Sequence, residues 1–337
     1  MEKLARRRVT AADVAREAGV SPATVGFVLN RTKGQTISEA TRQRVLAASQ
    51  RLNYKPHQAA RTLRSGRNKV VLLVLPDWPV EHSLRTNLEV LTHALAAHGY
   101  ALITYTPLPQ STAPPLWAIL DPAVVIGYKP FSVQDVADMK SLGIRNIIPP
   151  PDQEVVEASP DFVLGPRLQG EYLLALGHTR LGFAKPADPR LEELVEARLQ
   201  LLNQVCTEAG VAPAVAKQVD FQGPSGPLAI AQWRAEGVTA VAAYNDETAA
   251  DVISAAVRHG LRVPEDLSVV GHDDSPLAAR YLPSISSVAV DNEQLGLYAA
   301  GLALHYAEEQ PLPDPPTGAA EIVPRESTAH IDGGHGH

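Results

Sequence analysis

The sequence is poor in cysteine and in long apolar runs. Its single cysteine among 337 residues, Cys206, excludes an intramolecular disulfide, a CxxC redox pair and a zinc site made of several thiolates. No run of eighteen apolar residues occurs, and the charged segment 1–8 leads into no apolar stretch. We therefore expect neither membrane insertion nor secretion, and we expect a protein of the reducing cytoplasm.

Sequence motifs of the common enzyme classes are also absent. The chain contains no HExxH zinc motif, no GxSxG elbow, no P-loop and no GxGxxG after a strand. Three of the eleven histidines stand among glycines in the tail 330–337, which is more typical of a disordered polar segment than of a metal site. We expect no catalytic activity, no cofactor and no bound metal.

The charges are divided unevenly along the chain. Residues 1–69 contain 15 Lys and Arg against 4 Asp and Glu, a net charge of +11, whereas residues 70–337 contain 15 against 33, a net charge of −18. A compact basic segment on an acidic body is typical of a module that binds a polyanion, because neutralised phosphates release their counterions. This division predicts a nucleic-acid-binding head.

Capping signals within that basic segment predict three short helices. Thr10 precedes the first helix and Gly19 ends it, while Ser21 caps the second helix with Pro22 at its first position. Ser38 caps the third helix. Three short helices with a tight turn between the first two predict a helix-turn-helix domain.

From Val70 onward the pattern changes to that of an α/β protein. The continuous apolar run 70–75 is typical of a strand buried on both faces of a parallel sheet, and further strands alternate with helices. The alternation restarts at Leu181, which predicts two doubly wound halves with a ligand between them, at the carboxyl ends of the strands. A last strand is expected after the proline-rich stretch 311–316.

The segment 9–25, VTAADVAREAGVSPATV, resembles the lactose-repressor (LacI/GalR) family of bacterial transcriptional regulators. The resemblance spans nearly the whole chain, is strongest in the first 68 residues and is weakest from 76 to 165. Further matching segments are ISEATR at 37–42, LNYKP at 52–56, LGH at 176–178, YNDE at 244–247, VPEDLSVVGHDD at 263–274 and PSISSV at 283–288.

The resemblance implies an N-terminal three-helix helix-turn-helix domain plus a hinge helix, followed by a two-subdomain α/β periplasmic-binding-protein-like core. It also implies a homodimer on a near-palindromic double-stranded DNA operator. No apolar heptad repeat follows Thr328, so a tetramer held by a coiled coil is not expected. The implied boundaries are 1–56 for the DNA-binding domain, 57–68 for the hinge helix and linker, 69–162 with 291–325 for the core N-subdomain, 163–290 for the C-subdomain and 326–337 for the C-terminal segment and tail.

The resemblance places residues on the DNA. It implies that the recognition helix faces the major groove and that a leucine of the hinge wedges into the minor groove, with two alanines close to the DNA backbone. Hydroxyls at the helix starts and nearby cations are candidates for phosphate contacts. These residues are Pro22, Ala23 and Phe27 in the major groove, Leu63, Ala59 and Ala60 in the hinge, and Thr10, Ser21, Thr24, Arg31, Arg42 and Lys55 at phosphates.

Phe27 departs from the family pattern. Relatives commonly have Val-Ser-Arg where this chain has VGF at 25–27, so an arginine able to bond guanine is replaced by a ring that offers apolar or stacking contacts, for instance to a thymine methyl. The alternative is that Phe27 is a core residue, although Val25, Val28 and Leu29 already form a buried face. Leu63 has a similar alternative, which is packing on the core domain.

The resemblance also implies three polar residues of an effector site. Arg198 stands where the family has an arginine that grips sugar hydroxyls or a carboxylate, while Asn245 and Asp273 match polar ligands at strand ends of the second half. Side chains of these types offer fixed donors and acceptors to hydroxyl groups. We therefore expect a small-molecule effector, a sugar or a related polar metabolite, between the core subdomains.

Other candidate effector contacts are less similar to the family. Phe221 lies near a family aromatic that stacks on the ligand, with a buried core phenylalanine as the alternative. Trp78 and Tyr128 stand in loops that differ from the usual ligand loops, and Asp246 and Asp274 are candidates to cap or structure loops instead of binding ligand.

The function that follows is a sequence-specific DNA-binding transcriptional regulator, a repressor, whose operator affinity is controlled by the effector. One alternative is a DNA-binding regulator whose core no longer binds a small molecule and serves for dimerisation or protein contacts. A sugar-binding receptor without a regulatory role is the other, but it would need a signal peptide and no DNA-binding head.

Overall fold

The structure is a computed structural model that describes residues 9–29, 36–54, 68–108, 111–149, 160–220, 223–316 and 320–331. The chain divides into two compact units, Met1–Lys69 and Val70–His337. Several predicted contact residues lie outside the described residues, together with nearly all of the hinge stretch. They are Arg31, Lys55, Ala59, Ala60, Leu63 and Phe221.

The first unit contains the three predicted helices, α1 Ala11–Ala18, α2 Pro22–Leu29 and α3 Glu39–Arg51. Thr10 and Asp13 form a reciprocal capping box at the start of α1. Gly19 ends that helix with φ +66°, in the left-handed region that favours glycine. The predicted caps at Ser21 and Ser38 are confirmed, because each hydroxyl accepts the backbone N–H three residues on.

Ten strands and eight helices are described in the second unit. The strands are β1 Val70–Val74, β2 Ala101–Tyr105, β3 Val124–Gly127, β4 Ile147–Ile148, β5 Leu181–Lys185, β6 Val215–Gln218, β7 Ala240–Ala243, β8 Ser268–His272, β9 Ser286–Val290 and β10 Ala320–Val323. The helices are α4 His82–Ala97, α5 Leu116–Leu120, α6 Val133–Ser141, α7 Pro160–Ala175, α8 Glu192–Glu208, α9 Ser225–Ala235, α10 Asp246–Arg258 and α11 Asn292–Glu308.

These strands form two sheets, in agreement with the predicted two-half α/β core. The first sheet has the order β2-β1-β3-β4 and is parallel throughout. The second has the order β10-β9-β8-β7-β5-β6 and is parallel except for β10. Strands β1, β3 and β7 are buried along most or all of their length because helices cover both faces.

The last part of the chain divides between the two halves. Helix α11 packs against α4 beside the first sheet, and its Ala300, Ala303 and Leu304 share one apolar cluster with Leu91 and Leu95. Strand β10 instead pairs antiparallel with β9 in the second sheet. The expected N-subdomain segment 291–325 is therefore wrong for residues 320–323, because their backbone hydrogen bonds are made with the second half.

No helix in the described part of the chain is long and apolar enough to cross a membrane. Within the same residues, no group of three or more His, Cys, Asp or Glu is arranged to hold a metal ion.

Candidate functional site

The recognition helix α2 presents one buried face and one exposed face. Val25 and Val28 are buried in the apolar cluster of the first unit. Ala23 is exposed, and Phe27 is half-buried and lies outside that cluster of described residues. Phe27 thus does not belong to the described apolar cluster of this unit, and its contact with the major groove stays a prediction.

The hydroxyls predicted to contact phosphates take part in helix caps. Thr10 donates its hydroxyl to Asp13 Oδ2 at 2.7 Å, and the hydroxyl oxygens of Ser21 and Thr24 lie 2.9 Å apart. Arg42 Nε lies 3.5 Å from Glu39 Oε2 in an exposed pair. Such surface pairs are weak, which leaves the Arg42 guanidinium able to exchange its partner for a phosphate.

In the second unit, two neighbouring cavities open between the two halves. The inner cavity has a volume of about 290 Å³, and its lining includes the predicted residues Trp78, Tyr128, Arg198 and Asp273. The outer cavity, of about 650 Å³, is lined in part by the fifth described residue of the prediction, Asn245. The structure thus brings four of the five described candidates to one cavity and the last to the adjoining one.

Aromatic rings form one wall of the inner cavity. Trp78 and Tyr128 meet edge to face with their ring centroids 6.2 Å apart. The Tyr128 hydroxyl donates to Asn87 Oδ1 at 2.8 Å, and Lys129 Nζ lies 5.7 Å from the centre of the Trp78 ring. These contacts hold flat apolar surfaces at the edge of the first sheet, where they can pack on the carbon face of a ligand.

Arg198 reaches the cavity from α8. Its Nη1 donates to the Tyr244 carbonyl, and its guanidinium lies 4.3 Å from the centre of the Tyr244 ring. Its Nε is buried and has no hydrogen-bond partner among the described residues. A buried donor without a partner is costly, so a ligand oxygen near this atom would gain a charge-assisted hydrogen bond.

Asp273 follows β8 directly and has φ +93°, an unusual backbone conformation for a residue with a side chain. Burial disfavours its charge. Nevertheless, hydrogen bonds from His272 and Ser83 and the Arg198 charge lower its pKa to about 2, so the carboxylate is ionised at neutral pH. The distance from His272 Nδ1 to Asp273 Oδ1 is 2.7 Å.

His272 is the neutral partner in this pair. Burial lowers its pKa, with the Arg198 charge acting in the same direction, so the ring is uncharged at pH 7 and donates Nδ1–H to Asp273. The ring packs against Gly165 of α7, where an added methyl group would overlap its Nε2 edge. The buried His272 ring therefore holds the Asp273 carboxylate in its orientation.

Sequence reasoning missed Glu81, which lines both cavities. Burial raises its pKa to about 7, and the Asp273 charge adds to the shift against the opposing effects of Arg198 and a hydrogen bond from Asn245. A glutamate directly before a helix has no distinguishing signal in a single sequence. Only the fold places it beside a second carboxylate.

Asn245 serves first as a helix cap. Its Oδ1 accepts the backbone N–H and the hydroxyl of Thr248, both at 2.8 Å, at the start of α10. Both hydrogen bonds of that oxygen are therefore made within the helix start. Asn245 lines the outer cavity from this capping position, and its contact with an effector stays a prediction.

The two aspartates with alternative roles structure loops. Asp246 accepts from Ser275 N at 2.6 Å and from Ser287 Oγ at 2.5 Å, and burial raises its pKa to about 6 against these hydrogen bonds. Asp274 pairs with Arg325 at 2.6 Å. Both carboxylates tie down the loop that carries Asp273.

Comparisons with known proteins agree with this architecture. Residues 10–57 match the family described as bacterial regulatory proteins, lacI family, and residues 171–328 match the periplasmic binding protein-like domain. The chain is 31% identical to the HTH-type transcriptional regulator MalR of Streptomyces coelicolor, covering 96% of this chain and 98% of that protein. It is 30% identical to the HTH-type transcriptional repressor PurR of Proteus mirabilis, covering 88% and 89%.

Solved structures give the same fold. A lac repressor dimer bound to operator and the anti-inducer ONPF superposes with a TM-score of 0.78 at 24% identity, covering 96% of this chain and 100% of that one. A complex of the transcriptional regulator CelR with cellobiose superposes with a TM-score of 0.60 at 26% identity, covering 95% and 100%.

Proposed function

The chain belongs to the lacI family of bacterial regulatory proteins, and we propose that it is a transcriptional repressor whose hold on its operator is controlled by a small polar effector. The observation that carries effector control is the convergence of Trp78, Tyr128, Arg198 and Asp273 on one cavity between the two halves of the core. An ionised, buried aspartate in that cavity favours a polar ligand over a core that serves for dimerisation alone.

DNA binding is assigned to the first unit. We propose that α2 of the helix-turn-helix lies in the major groove, with Thr10, Ser21, Thr24 and Arg42 near phosphates. One small head makes few specific contacts, so two chains bind together as a homodimer on a near-palindromic operator. The dimer structure of the lac repressor on its operator supports this arrangement.

The effector is a sugar or a related polar metabolite. The half-buried Arg198, with its buried Nε, and the Asp273 carboxylate supply a donor and an acceptor, which suit a pair of neighbouring hydroxyls. Trp78 offers an apolar face to a ring. The cellobiose complex of a related regulator supports this ligand class.

Control follows from linkage between the two sites. An effector that binds between the halves favours one relative arrangement of them, and operator binding favours one arrangement of the dimer. If these arrangements differ, effector binding weakens operator binding with a coupling on the order of 1–3 kcal/mol. We propose induction. The same two sites would give co-repression if effector and operator favoured the same arrangement.

This activity requires no catalytic step. The relatives named above are regulators of transcription. We propose that the protein is not an enzyme and that it acts in the bacterial cytoplasm, where its DNA lies.

The test begins with a thermal-shift screen of sugars and polar metabolites on the full-length protein, since a ligand of the folded state raises the unfolding midpoint. A hit is then titrated with and without operator. Asp273→Asn should abolish the effect of the hit on operator affinity and leave DNA binding without ligand intact.

A matched control is Asp138→Asn, which changes an exposed aspartate of α6 outside both cavity linings. This variant should respond to the hit as wild type does. A normal response from Asp273→Asn would show that the assigned pocket is wrong.

A further inference from the structure

The recognition helix lacks the side chains that usually read bases. The eight residues of α2, PATVGFVL, include no acid, base or amide, and Thr24 carries the one hydrogen-bonding side chain among them. The Thr24 hydroxyl lies 2.9 Å from that of Ser21 at the helix start. Direct readout from this helix therefore depends on apolar contact.

Helix geometry shows which apolar residues are available. Val25 and Val28 point into the core of the first unit. Ala23 and Phe27 stand four residues apart, so they lie on one face, and that face is opposite the buried valines. Ala23 is exposed and Phe27 is half-buried, outside the apolar cluster.

The major groove offers one feature that needs no hydrogen bond. Guanine is read by Arg or Lys, adenine by Asn or Gln and cytosine by Asp or Glu, whereas thymine presents a methyl group that packs against Ala or Phe. We propose that Ala23 and Phe27 select thymine through its 5-methyl group, so that each operator half-site contains thymine opposite this face. This inference rests on the proposed DNA-binding function.

The basic charge of the first unit supplies binding that does not depend on sequence. A net charge of +11 over residues 1–69 is available for phosphates, so α2 need not add hydrogen bonds to hold the protein on DNA. Specificity at the contacted positions then depends on burial of a methyl group, which is worth about fourfold in affinity for each contact.

The experiment removes that methyl group from the DNA. Binding sites are first selected from random duplexes with the full-length protein, and the selected site is resynthesised with each dT replaced in turn by dU. We expect at least one replacement per half-site to weaken binding about fourfold, and the symmetric pair to weaken it on the order of tenfold. Binding is measured by fluorescence anisotropy.

Three variants locate the contact. In Phe27→Ala the penalty for dU at the sensitive position should disappear, while Phe27→Leu, which keeps an apolar side chain, should retain part of it. Arg42→Ala should weaken binding to the dT and dU duplexes by the same factor, because a phosphate contact does not involve the methyl group of the base. If circular dichroism shows that Phe27→Ala is unfolded, the loss of affinity caused by dU is compared in Phe27→Leu and Ala23→Gly instead, and it should be smaller than in wild type.

The outcomes separate this inference from the proposed function. Thymine selection is overturned if every dU duplex binds as tightly as the dT duplex. It is also overturned if the loss of affinity caused by dU is unchanged in the folded Phe27 and Ala23 variants. Neither result contradicts the proposed function as a DNA-binding regulator. Failure to enrich any site overturns the proposed function itself.

Discussion

Glu81 and Asp273 face one cavity and hold different charge states at neutral pH. Asp273 stays ionised because it accepts hydrogen bonds from His272 and Ser83. Burial and the nearby Asp273 charge raise the pKa of Glu81 to about 7, so its carboxyl group is partly protonated. The site can therefore exchange a proton with solvent at the pH of a cell.

This difference predicts a pH-dependent gain in stability for Glu81→Gln. The pKa of Glu81 rises from 4.5 when unfolded to about 7 when folded, so the folded state holds the extra proton and loses stability as pH increases between those values. Glutamine does not ionise, so the variant does not lose this stability as the pH rises. From pH 5 to pH 8 the stability of the variant relative to wild type should therefore rise by about 1–3 kcal/mol.

Urea unfolding at pH 5 and pH 8 measures this prediction. Glu89→Gln, which changes an exposed glutamate of α4, the helix that Glu81 precedes, is the control and should show no such change. A Glu81→Gln variant whose stability relative to wild type is the same at both pH values would contradict a raised pKa at this position.

Arg42 gives a second prediction at the scale of one residue. Its exposed pair with Glu39 is weak, so its guanidinium is available for the phosphate contact that the family resemblance implies. Arg42→Ala should weaken binding to the operator and to nonspecific DNA by similar factors, and lower the slope of log affinity against log salt by about 1. A loss confined to the operator, measured by salt titration, would rule this out.

Among the secondary-structure elements, α1 depends most visibly on its cap. Its eight residues are too few to be stable alone, and the Thr10–Asp13 capping box satisfies backbone N–H groups at its start. Thr10→Ala should therefore destabilise this helix by about 1 kcal/mol.

Amide hydrogen exchange in the full-length protein can follow that change. Peptides of α1 and α2 should exchange about fivefold faster in Thr10→Ala, whereas peptides of β1 should be unchanged. Thr10→Ser keeps the hydroxyl and should behave as wild type. Unaltered exchange in Thr10→Ala would mean that the cap contributes nothing measurable.

The elements were predictable where local chemistry decides them. Apolar runs such as 70–75 indicate buried strands, and Ser or Thr before a helix indicates its start, so both were found correctly. Strand β10 was assigned to the wrong half because a short strand carries no signal for its partner. β10 pairs with β9 because the chain crosses back to the second sheet after α11, and that crossing depends on the whole fold.

The candidate site was predictable in part for the same reason. Arg198 and Asp273 were predicted through resemblance and Trp78 from its place after the first strand, and all three line one cavity. Glu81 was not found, because its role depends on the nearby Asp273 charge, which is distant in sequence. Asn245 was expected at the ligand, yet its oxygen caps α10. Contacts between distant segments decide such roles.

At the scale of the whole molecule, we expect a homodimer at micromolar concentration. Light scattering should give twice the mass of one chain. A duplex with one half-site should bind at least about a hundredfold more weakly than the full site, because one head loses several base contacts at about 1–3 kcal/mol each. A monomeric mass, or equal binding to half and full sites, would refute cooperation between two heads.

The position of β10 also determines when the core can finish folding. Ser327, just beyond that strand, is fully buried, and its carbonyl accepts from Val269 N at 2.8 Å while its hydroxyl accepts from Ser286 N at 2.8 Å. During translation the compact unit of residues 1–69 leaves the ribosome long before these partners exist. A nascent chain can therefore fold its DNA-binding head first, and the second unit completes its hydrogen bonds only after Ser327 has emerged.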